Sequence, residues 1–158
     1  MTDNKRIQKA LRGLGFYYGR IDGAVNSYAT RSAIKKMNIN FGISDGSSLD
    51  SRTRNDLIFL GTQFILDENL TATESNTRTK HKRIQAALTV NGFYSGRIDG
   101  IKGRKTNRAI SDYKRDRGLS YGTSLNYDDE YELISNAKQT NDANIENTIA
   151  SLKGTTAK

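Results

Sequence analysis

The chain contains no cysteine and a single histidine, His81. Without cysteine it can form neither a disulfide framework nor a reactive thiolate. Zinc peptidases usually need two or three histidines and a Ser-His-Asp triad needs one held in a fold. His81 stands in the polar stretch 71–81, where we expect an exposed linker residue. We therefore predict no catalytic residue, no metal site and no cofactor, although paired carboxylates of the glycosidase kind stay compatible with the composition.

Long apolar runs are also missing. No stretch approaches the roughly 18 apolar residues of a membrane-spanning helix. The first six residues, Met1 to Arg6, lack the apolar segment of a signal peptide. We expect a protein that is made in the cytoplasm without a signal peptide and that has no membrane span.

Basic residues exceed acidic residues, and the formal net charge is +8. The excess is spread over both halves of the chain. Such a surface favours polyanionic partners, for example nucleic acid, teichoic acid or an anionic cell wall. A basic surface that merely keeps the protein soluble would explain the same composition.

An internal duplication is the strongest feature of the sequence. Fourteen of the nineteen positions from 5 to 23 recur 77 residues later, at 82–100. The first copy then carries one additional residue, and the matches continue at an offset of 76 as far as Leu57-Ile58 and Leu133-Ile134. Self-similarity of this kind predicts two copies of one structural unit.

Each copy reads as three short helices. In the first copy, Ile7, Leu11 and Leu14 keep helical spacing, and Gly15 is a suitable stop. A compact loop with an Asp-Gly turn follows. The second helix begins near Thr30 or Thr106, and the third follows Asp50 or Asn126, either of which can act as an N-cap.

These elements give the predicted boundaries of the domains. The first repeat covers 1–70, a polar linker covers 71–81, the second repeat covers 82–137 and a tail covers 138–158. In the tail, Ile145, Ile149 and Leu152 share one face of a predicted short amphipathic helix over 142–153. We expect that helix to pack on the second repeat, or else to meet a partner.

Both copies resemble the peptidoglycan-binding domain of bacterial and phage cell-wall proteins such as amidases and endolysins. That family combines a Gln-x-x-Leu helix, a Gly-Tyr-Tyr-x-Gly-x-Ile-Asp-Gly loop and a downstream Thr-x-x-Ala. The first copy matches at Gln8, Leu11, 15–23, Thr30 and Ala33, and the second at Gln85, Leu88, 92–100, Thr106 and Ala109. The family's Phe-Gln is replaced by Met37-Asn38 and Tyr113-Lys114, and its glycine before the threonine is present only as Gly103. The resemblance implies an all-α fold, with two tandem small three-helix domains and a short C-terminal helix.

The resemblance also divides the matched residues into structural and ligand-binding groups. Asp22 and Asp99 are expected to accept backbone hydrogen bonds inside the loop, and Thr30 and Thr106 to start helices. Exposed tyrosines can stack on sugars, and arginines can grip a stem-peptide carboxylate. The predicted ligand-binding residues are Tyr17, Tyr18, Arg20, Tyr94, Arg97, Lys105 and Arg108.

The resulting hypothesis is a non-catalytic protein that binds peptidoglycan through its glycan or stem peptide, at the cell wall, in the periplasm or within a phage particle. Two weak sites on one chain would gain avidity on a repetitive polymer. Catalysis would come from a partner in a phage virion, a lysis system or a secretion assembly. Two alternatives are a virion or secretion-machine subunit that uses the fold for protein contacts, and a nucleic-acid-binding protein that uses the basic stretch 102–117. A glycosidase acting through Asp22 or Asp99 is disfavoured, because neither has a second carboxylate at a fixed spacing.

Overall fold

A computed structural model describes residues 1–154, and the last four residues of the predicted tail, 155–158, lie outside the described residues. Residues 1–154 form six helices and no strand, which confirms the all-α fold class. The helices are α1 (Asp3–Gly13), α2 (Tyr28–Asn40), α3 (Ser51–Leu70), α4 (Thr77–Val90), α5 (Arg104–Asp116) and α6 (Tyr127–Leu152).

Side-chain caps mark where most of the helices begin. The carboxylate of Asp50 accepts from the Thr53 N–H at 2.7 Å, and the amide oxygen of Asn126 accepts from the Asp129 N–H at 2.8 Å. Both predicted N-caps are thereby confirmed. Each cap satisfies one of the N–H groups that have no partner inside the helix. α1, α2 and α4 are capped in the same way by Thr2, Ser27 and Asn76.

The helices pack into two compact units. The first unit consists of residues 1–65 and, within the described part of the chain, 143–154; the second unit consists of residues 66–142. α3 and α6 therefore each contribute residues to both units. The end of α3 places Leu66 and Leu70 in the core of the second unit, and the end of α6 places Leu152 in the core of the first.

The predicted short C-terminal helix is not a separate element. Residues 142–152 are the end of the 26-residue helix α6, which contains neither glycine nor proline to interrupt it. Ile145, Ile149 and Leu152 do share a buried face, as the periodicity indicates. That face packs in the core of the first unit, so the expected packing on the second repeat is wrong.

The predicted linker 71–81 is helical from Thr77 onward, because α4 begins there. The Asn76 side chain accepts from the Thr79 N–H at 2.8 Å and starts the helix without any apolar residue, which is why hydropathy did not reveal it. His81 lies on α4 and is half-buried, with Nδ1 3.1 Å from the Gly100 carbonyl oxygen. The expectation of an exposed linker histidine is therefore corrected.

One close approach between backbones organises the core of the first unit. A Cβ added at Gly61 of α3 would lie 2.1 Å from the carbonyl oxygen of Arg6 on α1, so only glycine fits there. The core of the same unit contains the fully buried side chains of Leu11, Met37 and Leu57. The second unit has an equivalent core that contains Leu88, Ile110 and Leu133.

Candidate functional site

A buried glutamine holds the loop that carries the sequence motif in the first unit. Gln8 is fully buried, and its Nε2 donates to Asp22 Oδ1 at 2.9 Å and to Thr30 Oγ1 at 3.2 Å. Its Oε1 accepts from the backbone N–H groups of Asp22, at 3.0 Å, and Gly23, at 2.8 Å. α1, the loop and the start of α2 are thus joined by one amide group.

The second unit repeats this arrangement. Gln85 is fully buried, and its Nε2 donates to Asp99 Oδ1 at 3.1 Å and to Thr106 Oγ1 at 3.0 Å. Its Oε1 accepts from the Gly100 N–H at 2.9 Å. In both units the buried Gln and Thr and the loop Asp of the motif are therefore joined by hydrogen bonds into a structural hub. Thr30 and Thr106 lie in the first turns of α2 and α5, where the sequence analysis placed helix starts.

The first tyrosine of each loop belongs to the same hub. Tyr17 is 4% exposed and Tyr94 is 7% exposed, and their hydroxyls donate to the carbonyl oxygens of Arg20 and Arg97. The expectation that these two rings are exposed for ligand stacking is therefore corrected. The reason is the alternation of the loop, which sends Tyr17 inward and its neighbour Tyr18 outward.

The glycine of the Gly-Arg-Ile-Asp-Gly loop is required by that tyrosine. A Cβ at Gly19 would lie 2.6 Å from the Tyr17 hydroxyl oxygen, and a Cβ at Gly96 would lie 2.7 Å from the Tyr94 hydroxyl oxygen. Both distances are shorter than any tolerable contact. These two glycines thus serve the close packing of their own loop.

The carboxylates of Asp22 and Asp99 accept hydrogen bonds within the hub. The hydrogen bond from the Gln8 side chain, followed by the one from the Ala24 N–H, holds the pKa of Asp22 below its ordinary value of 3.8. For Asp99 the Ile101 N–H and then the Gln85 side chain lower the pKa in the same way. A general acid for glycoside cleavage needs a raised pKa, so these two groups are poorly suited to that role.

The outward face of each loop carries the remaining candidates. Tyr18 is 85% exposed, and its hydroxyl donates to the Gly15 carbonyl oxygen at 2.7 Å, which restrains the ring on the surface. Arg20 in the first unit and Arg97 in the second are exposed, although their backbone carbonyls are held by the buried tyrosines. The guanidinium groups of Arg20 and Arg97 thus project from loops whose backbone is held by hydrogen bonds.

The beginning of α5 carries the last two candidates. Lys105 and Arg108 are exposed there, beside exposed Arg104 and half-buried Lys102. Within residues 1–154 none of these four cations forms an ion pair, and the first turn of α5 contains no acidic residue. The N-terminus of a helix carries partial positive charge, so this end of α5 favours an external anion.

Residues 77–121 match the family model described as "Putative peptidoglycan binding domain". This segment is therefore similar to a peptidoglycan binding domain. The match runs from the first residue of α4 to the loop after α5 and includes the whole Gln85 hub. Neither the curated proteins nor the solved structures gave a match to the chain.

Asn38 and Lys114 replace the glutamine of the peptidoglycan-binding pattern, and both make the same contact with a loop carbonyl. Asn38, at the position of the family's glutamine, donates from Nδ2 to the carbonyl oxygens of Gly46, at 2.9 Å, and Ser48, at 3.0 Å. Lys114, at the equivalent position of the second copy, donates from Nζ to the Ser124 carbonyl oxygen at 2.6 Å. Ser48 and Ser124 are equivalent residues, so two different side chains anchor the same loop.

The first unit also contains a groove whose polar residues lie outside the sequence motif. Two cavities of about 350 and 410 Å³ share Arg31 and Ser47 in their linings. Arg31 differs from its counterpart Asn107, so a search for residues shared by the two copies passes over it. A comparison of the charges at equivalent positions of the two copies would have indicated Arg31.

Two further properties concern the chain as far as Gly154. Among the described helices, none has the length and apolar character needed to cross a membrane. Over the same residues, no three histidine, aspartate or glutamate side chains gather in a way that could hold a metal ion.

Proposed function

We propose that this protein is a non-catalytic peptidoglycan-binding module that attaches an assembly, such as a phage virion, a lysis system or a secretion apparatus, to the bacterial cell wall. The observation that carries the proposal is the family match over residues 77–121, together with four unpaired cations at the start of α5 in that same segment. The domain brings no chemistry of its own, so catalysis is the task of a partner.

The ligand chemistry follows from the exposed groups. Stem peptides of peptidoglycan carry carboxylates, which a guanidinium can hold in a bidentate manner and an ammonium can hold as a point charge. In the second unit these donors are Arg97, Lys105 and Arg108. In the first unit the loop instead offers Arg20 beside the exposed ring of Tyr18, which can stack on a sugar face.

Two binding units on one chain make weak individual sites useful. A unit of this size has a small ligand-binding face, and we expect each to bind the wall weakly. On a repetitive polymer the second binding event becomes intramolecular, and avidity can exceed single-site affinity by about 10²-fold or more. Both repeats therefore bind ligand in the proposed function.

Co-sedimentation with purified sacculi, stripped of teichoic acid, tests this function. The wild-type chain should bind at both low and high salt. We expect Lys105→Ala/Arg108→Ala to lose most of that binding. The matched control is Arg115→Ala/Arg117→Ala, which removes the same charge from the other end of α5 and should bind like the wild type.

The basic start of α5 also suits a nucleic-acid backbone, and this is the second candidate function. Contacts to phosphates make affinity fall steeply with salt concentration. If the wild type sediments with sacculi only at low salt, and if DNA binding shows a steep salt slope that Lys105→Ala/Arg108→Ala reduces, the nucleic-acid function replaces the proposed one.

A further inference from the structure

A polar groove in the first unit has the form of a ligand site, although none of its polar residues belongs to the sequence motif. We call it the Arg31 groove. It is formed by the two adjoining cavities that share Arg31 and Ser47. The polar lining of the first cavity consists of Asn4, Asn26, Arg31, Ser47, Ser48 and Arg54, and the second cavity adds Tyr28, Ser32 and Lys35. Its apolar lining comes from side chains of the core and its edge, among them Ile7 and Ile34.

The lining has a definite chemical preference. Two guanidinium groups, Arg31 on α2 and Arg54 on α3, face the same cavity, and no carboxylate among the described residues lines it. Arg31 has a single weak contact, from Nη2 to Ser47 Oγ at 3.4 Å, and Arg54 has no ion pair or side-chain hydrogen bond within residues 1–154. Two guanidinium groups that are free to donate hydrogen bonds favour a carboxylate as the ligand.

The other lining groups favour an amino sugar. The amides of Asn4 and Asn26 and the hydroxyls of Ser47 and Ser48 can pair with sugar hydroxyls and acetamido groups. The apolar lining can receive a methyl group. Tyr28 lines the second cavity and is 89% exposed, so its ring is available to stack on a sugar face.

The second copy of the repeat does not reproduce these groups. At the offset of 76, Arg31 corresponds to Asn107, Arg54 to Glu130 and Tyr28 to Arg104. Glu130 lies 3.8 Å from Lys80, so a paired carboxylate stands where the first unit presents a cation. Because the fold persists without the groove's charges, they are not needed to build the three-helix unit.

We infer that the Arg31 groove binds the carboxylate-bearing sugar and first peptide residues of a muramyl peptide, which makes the two repeats unequal in ligand recognition. This inference rests on the proposed function and assigns the substrate class of one site within it. The carboxylate is gripped by Arg31 and Arg54, and the acetamido group lies over the apolar lining.

An NMR titration of the full-length, ¹⁵N-labelled chain tests the inference. The probe is N-acetylglucosaminyl-N-acetylmuramyl-tetrapeptide. Amide signals of residues 25–31 and 46–49 should shift and saturate. The neutral sugar di-N-acetylchitobiose, which has no carboxylate, should bind at least about tenfold more weakly, as expected when charge-assisted hydrogen bonds are lost.

The decisive variant is Arg31→Asn/Arg54→Glu, which installs the residues that the second copy tolerates at these positions. Muropeptide affinity at the groove should fall at least about tenfold. The charge-matched control, Lys36→Asn/Arg115→Glu, removes the same total charge outside the groove and should leave the titration unchanged.

Three outcomes would overturn the assignment. If the chain binds sacculi but the muropeptide shifts no groove signal, the proposed function stands and the groove site fails. If a glycerol-phosphate oligomer or a short DNA gives the same groove shifts more tightly than the muropeptide, the ligand class is wrong. If the chain binds neither sacculi nor muropeptide, both proposals fail together.

Discussion

The side chain of Gln8 donates to the carboxylate of Asp22 across 2.9 Å, and Gln85 does the same to Asp99 across 3.1 Å. In each unit the amide also accepts from the backbone of the Asp-Gly turn. A buried group that satisfies several others at once is costly to remove, because its partners are left unpaired without water. Four predictions concern this hub and the cores beside it.

Gln85→Met should lower the free energy of unfolding by about 2–4 kcal/mol, because the Gly100 N–H and the Thr106 hydroxyl lose their buried hydrogen-bond partner. Methionine nearly preserves the volume of the glutamine side chain. Urea unfolding followed by circular dichroism measures the effect. The control Gln139→Met changes an exposed glutamine of α6 and should stay within about 0.5 kcal/mol of the wild type. A loss below about 1 kcal/mol for Gln85→Met would refute the hub's structural role.

Gly19→Ala should destabilise the first unit by about 1–3 kcal/mol, because the new methyl group would overlap the Tyr17 hydroxyl and displace it from the Arg20 carbonyl. In the control Gly46→Ala the nearest atom to the new Cβ, Ser44 Oγ, is 3.9 Å away. Thermal unfolding should therefore separate the two alanine variants. Equal melting temperatures would show that the loop has room for the methyl group.

Acid should weaken the hub. The pKa values of Asp22 and Asp99 are lowered in the folded state, so their stabilising effect is present above the ordinary value of 3.8 and is lost as the pH falls through the folded pKa values. Asp22→Asn/Asp99→Asn should be less stable than the wild type at neutral pH and should lose less stability below pH 3.8. Urea unfolding over a pH series measures both curves.

The control for the acid prediction is Asp45→Asn/Asp116→Asn, which removes two carboxylates at exposed positions. It should follow the wild-type pH dependence. If it reduces the loss of stability at acid pH as much as Asp22→Asn/Asp99→Asn does, the effect comes from net charge and not from the hub.

Leu152→Ala should destabilise the first unit by about 2–4 kcal/mol, because this 4%-exposed side chain fills that unit's core from the end of α6. Hydrogen exchange followed by mass spectrometry should show faster exchange in residues 7–43, with residues 84–113 little changed. Ile39→Ala, at a 56%-exposed position, is the control. Faster exchange confined to 84–113 would contradict the assignment of this helix end to the first unit.

Local patterns in the sequence were sufficient for the helices of each repeat. The spacing of Ile7, Leu11 and Leu14 marked α1, and Asp50 and Asn126 marked the starts of α3 and α6, because caps and helical periodicity act over a few residues. The start of α4 at Thr77 was missed, because its first turn is polar and signalled only by the Asn76 cap.

The candidate site was predicted less completely. The motif indicated the loop, and it placed Tyr18, Arg20 and Arg97 on the surface, where they lie. It could not separate Tyr17 from Tyr18, because the direction of a side chain in an irregular loop depends on what packs beneath it. It could not indicate the Arg31 groove, whose members come from four separate segments of the chain.

The sequence by itself determined the duplication, the all-α class and the likeness of each repeat to a peptidoglycan-binding domain, since these rest on residue identity and short-range periodicity. Only the tertiary structure decided that the Gln, Tyr and Thr shared by the two motifs are buried, and that Leu152 completes the core of the first unit rather than the second. Burial is settled by packing between segments far apart in the chain, such as those of Leu152 and Leu57, which lie in one core. No local pattern encodes which distant partner a helix face will meet.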